Sequence, residues 1–204
     1  MKKLSIFLTV FLLIIILGAP SWAIDQTKKF AIGGYAGYGF GFGDFFKDQE
    51  FGYYDPDLGF VGYSFKNKLT FCFGAKAKYG LTPELALVGA LDYQSGDVDV
   101  KAAAGGFAVG VSESYHWTGI LANILYTLSP DKKTCPYLTG GVGYYMPEEG
   151  DSKPGINLGG GIEHFFQPNL ALDAGARFHM IFTEDKNTTY IQILAGLNYY
   201  FGTK

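Results

Sequence analysis

The chain predicts an all-β protein: an eight-stranded antiparallel transmembrane β-barrel preceded by a cleavable signal peptide. Three observations predict it. The mature chain falls into eight runs in which large apolar residues alternate with small or polar ones, the period-two spacing that puts them on opposite faces of a strand. The breaks between runs alternate in character, short after the even runs and longer or more polar after the odd ones. The composition is rich in aromatic residues and glycine (15 Tyr, 18 Phe, 29 Gly) but only 17% charged, and no mature segment is a continuous apolar run long enough to span a bilayer as a helix.

The N-terminus sets the compartment. Lys2 and Lys3 form a positive start, an apolar stretch runs over 4–17 with only Ser5 and Thr9 interrupting it, Gly18-Ala19-Pro20 breaks it, and Ser21-Trp22-Ala23 offers small residues at the cleavage positions. That layout is a secretory signal peptide over 1–23, leaving one barrel domain over 24–204. The apolar core is shorter than the roughly 20 residues a spanning helix needs, which argues against an uncleaved anchor. No cysteine stands immediately after the cleavage site, so a lipoprotein is not expected. The formal charge of the whole chain is −3, and without a basic patch nucleic acid is not expected as a partner. Cys72 and Cys135 fall in distant runs with no metal or redox spacing, and read as two free thiols.

The runs are these. The first sets Phe30, Ile32, Tyr38, Phe40 and Phe42 against Gly33, Tyr35, Gly37, Gly39 and Gly41. The second sets Leu69, Phe71, Phe73, Ala75, Ala77 and Tyr79 against Thr70, Cys72, Gly74, Lys76 and Lys78. The third opposes Leu85, Leu87, Leu91 and Tyr93 to Ala86, Val88, Ala90, Asp92 and Gln94. The fourth, 116–128, is mixed: Ile120, Ala122, Ile124, Tyr126 and Leu128 share a face, but Trp117 and Leu121 share the other, which calls for a bulge or a partly apolar interior. The fifth and sixth cover 136–146 and 155–166. The seventh opposes Leu170, Leu172, Ala174, Ala176, Phe178 and Met180 to Asp173, Gly175, Arg177 and His179; the eighth carries Ile191, Ile193, Ala195, Leu197, Tyr199 and Phe201 on one face.

Short breaks at 81–83, 129–134 and 167–169 against longer ones at 43–67, 95–114, 147–154 and 184–188 match the periplasmic turns and extracellular loops of a bacterial outer-membrane barrel. Closure leaves no unpaired backbone group in lipid, which an open sheet does. The loop at 43–67 is the most distinctive, with Phe45, Phe46, Phe51, Tyr53, Tyr54, Phe60, Tyr63 and Phe65 among acidic residues. It reads either as an extension of the first two strands beyond the membrane or as a surface for adhesion or ligand binding.

Three stretches carry a family resemblance: Gly33-Gly34-Tyr35-Ala36-Gly37-Tyr38-Gly39, Pro136-Tyr137-Leu138-Thr139-Gly140-Gly141-Val142-Gly143-Tyr144-Tyr145, and the closing Gly196-Leu197-Asn198-Tyr199-Tyr200-Phe201. From about Lys29 to Phe201 the chain resembles the small outer-membrane β-barrel family, which includes the OmpA transmembrane domain and OmpX-like proteins. The last stretch is similar to the C-terminal signal read by the outer-membrane assembly machinery, with Gly196, Tyr199 and Phe201 at its marking positions. Two departures stand in it: Leu194 where a polar residue is usual, and Gly202-Thr203-Lys204 past the terminal aromatic. The resemblance implies a monomer in the outer membrane, in contact with lipid and lipopolysaccharide and needing no cofactor.

The inward faces hold Lys76, Lys78, Asp92, Glu163, Asp173 and Arg177, three charges of each sign. An eight-stranded barrel is just wide enough for side chains to fill it. Counted from the periplasmic turns, Lys76 and Lys78 lie at about the depth of Glu163 and Asp173, with Asp92 and Arg177 higher and near one level. A salt-bridge network that plugs the lumen is the expectation, since buried charges are tolerated when paired. Its sharper form is a gate in which Arg177 or Lys76 switches carboxylate partners. Chemistry is not expected: a hydrolase needs a nucleophile, a histidine and an orienting acid, and His116-Trp117-Thr118 is the nearest approach. The glycine series 37–43 is no phosphate loop, because no helical period follows it. Tyr79, Tyr126 and Phe166 read as the periplasmic aromatic girdle, and Tyr38, Tyr93 and Phe182 as the outer one. The function expected is a structural or surface-interaction role without enzymatic activity. The alternatives are a narrow porin-like channel for ions or small solutes and a lipid A-modifying hydrolase.

Overall fold

A computed structural model of the protein describes residues 26–42, 49–55, 59–67, 70–104, 107–184 and 187–202. The signal-peptide segment 1–23 lies outside the described residues, as do Phe45, Phe46 and Leu69. Ten strands follow in order: β1 (Phe30–Phe42), β2 (Gln49–Asp55), β3 (Gly59–Asn67), β4 (Thr70–Gly80), β5 (Leu85–Ala104), β6 (Phe107–Thr127), β7 (Thr134–Pro147), β8 (Lys153–Gln167), β9 (Leu170–Ile181) and β10 (Thr188–Phe201). Eight of them close the wall in the order β1-β4-β5-β6-β7-β8-β9-β10, every neighbour antiparallel, with β1 returning onto β10 from Phe30↔Phe201 to Phe42↔Thr189. These eight are the eight alternating runs. The periplasmic turns are tight. In the first, the amides of Glu84 and Leu85 both donate to Thr82 Oγ1, at 3.3 and 3.1 Å.

The alternation decides which face meets lipid. Phe71, Phe73, Tyr79, Leu87, Leu91, Ile120, Ile124, Leu158, Ile193 and Leu197 are all exposed on the outside, while Lys78, Asp92, Asn123, Glu163, Asp173, Arg177, Gln192 and Asn198 are buried inside. The mixed fourth run resolves in favour of a partly apolar interior. β6 pairs with β5 from Phe107 to Tyr126 and with β7 from Trp117 to Thr127 without a register shift, and Leu121 and Leu125 are buried in the lumen. A register irregularity lies instead between Phe165 and Gln167 at the periplasmic end of β8. Just before it Phe165 is buried on the inward phase, and His164 is buried on the outward phase at the barrel rim.

One expected loop, 95–114, is corrected, and at 43–67 the strand-extension reading holds. Residues 95–114 are largely strand: β5 and β6 run on past the wall, paired to Ala104↔Phe107. At about 3.3 Å per residue and a tilt near 40°, the 20 residues of β5 rise about 50 Å, twice the roughly 25 Å apolar band of such barrels. Beyond lipid the outer face has no need to be apolar, so Asp97 and Asp99 stand on it and accept from the hydroxyls of Ser114 (2.9 Å) and Ser112 (2.8 Å) across the strand pair. That polarity disguised a strand as a loop. Within 43–67, β2 and β3 form a hairpin, and β3 pairs with β5 from Val61↔Ala104 to Asn67↔Val98. The result is a four-stranded sheet, β2-β3-β5-β6, standing above one side of the barrel.

The membrane-facing wall narrows at mid-height. Gly34, Ala75, Gly89, Ala122, Gly140, Gly160, Ala176 and Ala195, one from each wall strand, form a waist of small residues between the aliphatic rows and aromatic girdles above and below. Across β1, β4 and β5 the waist deepens into a groove of about 690 Å³ walled by Ile32, Leu91, Ile120, Leu197 and Tyr199. A Cβ on Gly89 would meet nothing, whereas one on inward-facing Gly74 would lie 2.3 Å from the Leu91 carbonyl oxygen and 2.6 Å from the Tyr35 ring. Gly89→Ala is therefore expected to leave unfolding stability in lipid vesicles unchanged within about 0.5 kcal/mol. Gly74→Ala is expected to lower it by roughly 1–3 kcal/mol, the cost of overpacking. Equal effects in urea titrations would contradict this division of faces.

Candidate functional site: the barrel interior

The interior is built in four tiers. At the periplasmic end Ala31, Cys135, Phe165, Ala171 and Tyr200 form a buried apolar cluster, with the Phe165 and Tyr200 rings 5.1 Å apart. Phe165 reaches it on the inward phase of β8, two residues after Glu163. Cys135 is a free thiol there, and Cys72 is buried and free on β4.

Above that cap lies a charged tier. Lys78 donates to Glu163 at 2.9 Å and to the Tyr200 hydroxyl at 2.8 Å; Tyr200 and Asn198 each donate to Glu163 Oε1 at 2.6 Å. Lys76 is ion-paired with Asp173, which also accepts from the Tyr137 hydroxyl at 2.8 Å and from Asn198 at 3.2 Å. Asn198 on β10 thus joins both carboxylates, and five strands meet in one hydrogen-bonded set. Charged donors and acceptors this well satisfied are what makes the burial tolerable.

The third tier is a directed chain of amides and one imidazole ending on Asp92. Asp92 accepts from the Tyr35 hydroxyl at 2.9 Å and from Gln192 Nε2 at 3.0 Å, and Gln192 also donates to Gln94, which donates to Thr70. With its amide nitrogen spent, Gln192 presents Oε1 to His179 Nε2 at 3.0 Å, so that ring nitrogen is the donor and Nδ1 accepts from the Tyr145 hydroxyl at 2.8 Å. Asp92 and Arg177 form no ion pair. The Arg177 guanidinium lies over the Tyr35 ring instead, 5.6 Å from its centroid.

The outer cap is aromatic. Ala90, Leu121, Tyr145, Ile181 and Tyr190 cluster, and Tyr115 and Trp117 pack against them. Tyr115 stacks on Trp117 at 5.4 Å, Trp117 meets Tyr190 at 5.4 Å, and Tyr190 stacks flat on His179 at 4.5 Å and 4°. Each end of the lumen thus carries a cluster of buried apolar and aromatic side chains, with Tyr115 and Trp117 partly buried on the outer one.

All six charged residues named from the sequence face inward. The structure joins Lys76 to Asp173 and Lys78 to Glu163, and leaves Asp92 and Arg177 apart. Gly196 also faces inward, where a Cβ would lie 2.3 Å from the Gly34 carbonyl oxygen; Tyr199 and Phe201 point outward, their rings 5.0 Å apart, with Phe30 5.9 Å from Phe201. The sequence reading missed Tyr35, Tyr137, Asn198 and Tyr200 as hydrogen-bond partners and Tyr115, Tyr145 and Tyr190 as the cap. Their signal was present: each sits on the inward phase of its strand.

Elsewhere, His116 pairs with Glu148 at 3.0 Å and packs on Tyr93, extending an outward ladder of Phe71, Phe73 and Tyr93. At the periplasmic rim Thr134 Oγ1 lies 2.8 Å from His164 Nδ1. At the outer rim the Glu184 carboxylate, 3.1 Å from Lys153, holds that ammonium above the ordinary lysine value. Among the described residues no group of His, Cys, Asp and Glu is placed to hold a metal ion.

The family model for the outer membrane protein beta-barrel domain matches residues 9–201. The fold is shared with Neisserial surface protein A (NspA), 16% identical with a TM-score of 0.57, covering 90% of this chain and 100% of that one. It is shared too with the outer membrane protein OprG of Pseudomonas aeruginosa, 13% identical with a TM-score of 0.54, covering 86% and 97%. No curated protein matches the chain.

Proposed function

Because the chain belongs to the outer membrane protein beta-barrel domain family, we propose that it works as a sealed barrel, a structural and surface-interaction element of the outer membrane. The observation that supports this is a pair of aromatic clusters at the two ends of the lumen, Phe165 and Tyr200 below and the Tyr115-Trp117-Tyr190-His179 series above, with a paired ionic tier between them. A water-filled path has to pass all three. The part left to act is outside: the β2-β3-β5-β6 sheet, with Tyr53, Tyr54, Val109 and Val111 exposed on it.

In this reading the barrel is a monomer whose surroundings are lipid and lipopolysaccharide. Gly196, Tyr199 and Phe201 mark its last strand for the assembly machinery. It carries no enzymatic role, because none of the hydroxyls near a histidine, those of Thr118, Thr134 and Tyr145, is a strong nucleophile. Mass spectrometry of lipid A from overexpressing cells tests that part, and a new acyl pattern refutes it.

The deciding experiment is single-channel conductance of refolded residues 24–204 in a planar bilayer. A silent membrane containing folded, inserted protein is expected. Persistent salt-dependent steps overturn the sealed barrel and make a narrow conduit the function.

A further inference from the structure

The interior is not filled everywhere. Between the charged tier and the Asp92 tier lies a cavity of about 20 Å³, bordered by Tyr35, Lys76, Tyr137, Thr139, Asp173 and Arg177. A single small occupant needs roughly 10–15 Å³ on this kind of measure, so there is room for one and not for a cluster. Arg177 is 8% exposed, and its Nη1 is buried without a hydrogen-bond partner. We propose that this seam binds one small monovalent anion of the chloride class, held by Arg177 with Lys76 beside it.

Three features converge on an anion. The first is charge: the other two lumenal cations are paired, Lys76 with Asp173 and Lys78 with Glu163, while no ion pair among the described residues includes Arg177. Arg177 is thus a buried cation without a contact ion pair, its charge met only at a distance by Asp92, an arrangement that burial makes costly. The second is the balance of donors and acceptors. The acceptors around the seam are already engaged, Asp173 by Lys76, Tyr137 and Asn198, and Asp92 by Tyr35 and Gln192. The Thr139 hydroxyl is turned away, donating to the Ile124 carbonyl at 3.1 Å. The buried side-chain atom of the seam left without a partner is a donor, Arg177 Nη1, and Lys76 beside it has N–H groups beyond the one given to Asp173. A water molecule has two protons of its own to place there; a halide has none. The third is size, which admits a halide and excludes a carboxylate, sulfate or phosphate.

The site also explains why Arg177 stands over Tyr35 rather than on a carboxylate. From β9 it reaches the boundary between two sets that are each satisfied without it. An anion there gives it a partner and joins the two sets.

The test uses the mature protein, residues 24–204, refolded in vesicles. Urea unfolding is followed in sodium chloride, sodium bromide and sodium gluconate at equal ionic strength, gluconate being too large for the seam. The unfolding midpoint is expected to rise with the logarithm of halide concentration, as it does for any ligand that binds only the folded state, and to stay flat in gluconate. Arg177→Met is expected to abolish the halide dependence. Crystals of the unaltered protein grown in bromide are expected to show an anomalous peak within hydrogen-bonding distance of Arg177 Nη1. The same midpoint in all three salts, a halide dependence that survives in Arg177→Met, or a water molecule in place of bromide overturns the proposal. If Arg177→Met does not refold, the salt series and the bromide crystal on the unaltered protein still decide. Neither readout is conductance, so a conducting barrel refutes the sealed lumen and leaves the anion site standing, and the reverse holds too.

Discussion

Glu163→Leu is expected to cost the barrel about 3–5 kcal/mol of unfolding stability, the penalty for removing one partner of a buried pair. The loss is not that of a single contact. Lys78, Tyr200 and Asn198 all donate to this carboxylate, and Lys78 is 4% exposed, so its charge has nowhere to turn. The companion variant separates pairing from packing. Lys78→Met with Glu163→Leu removes both charges and keeps the volume apolar beside the Phe165–Tyr200 cluster, and most of the loss is expected to return. Reversible urea unfolding in vesicles, read by tryptophan fluorescence, checks both. A single variant within about 1 kcal/mol of the parent would mean that water reaches the tier and the lumen is not closed beneath it.

The second large effect lies on the opposite face. Leu158→Arg and Leu87→Arg each put a guanidinium into lipid, next along their strands to the small residues Gly160 and Gly89 of the waist. The expected cost is roughly 2–4 kcal/mol at that depth, falling to about 0–1 kcal/mol near the interface. Leu128→Arg supplies the shallow reference, because Leu128 follows Tyr126 of the periplasmic girdle and is 54% exposed. The order of the three matters more than any one value. A shallow variant as costly as the deep ones would place the apolar band at a different height on the wall.

Much of this architecture is legible from residue order alone. Period-two alternation assigns the faces of all eight wall strands, since on a closed lipid-facing sheet every strand obeys the same demand at once. Counting from the short turns brings Lys76 and Lys78 level with Asp173 and Glu163, because an antiparallel wall with tight turns leaves little freedom of register. Two things were not legible, each for a physical reason. Asp97 and Asp99 look like loop residues because the apolar rule lapses once a strand leaves lipid. The pairing of Asp92 is decided by how far side chains reach: Tyr35 and Gln192 satisfy it first, and no count of charges reveals that Arg177 is left over.

The waist of small residues has a consequence for what the molecule's outline is. At that height the protein ends early: Gly34 and Gly89 are open to the outside, and a Cβ on Gly89 would touch nothing of the chain itself. In a folded water-soluble protein such a hollow would lose dispersion contacts or hold water, but here it lies in hydrocarbon, which fits itself to the shape. The missing van der Waals contacts are made by acyl chains, and loosely ordered chains follow a concave ring more closely than straight ones do. Snugness at mid-height is thus shared between polypeptide and bilayer, and the same sequence is a better-packed object in a fluid membrane than in a stiff one.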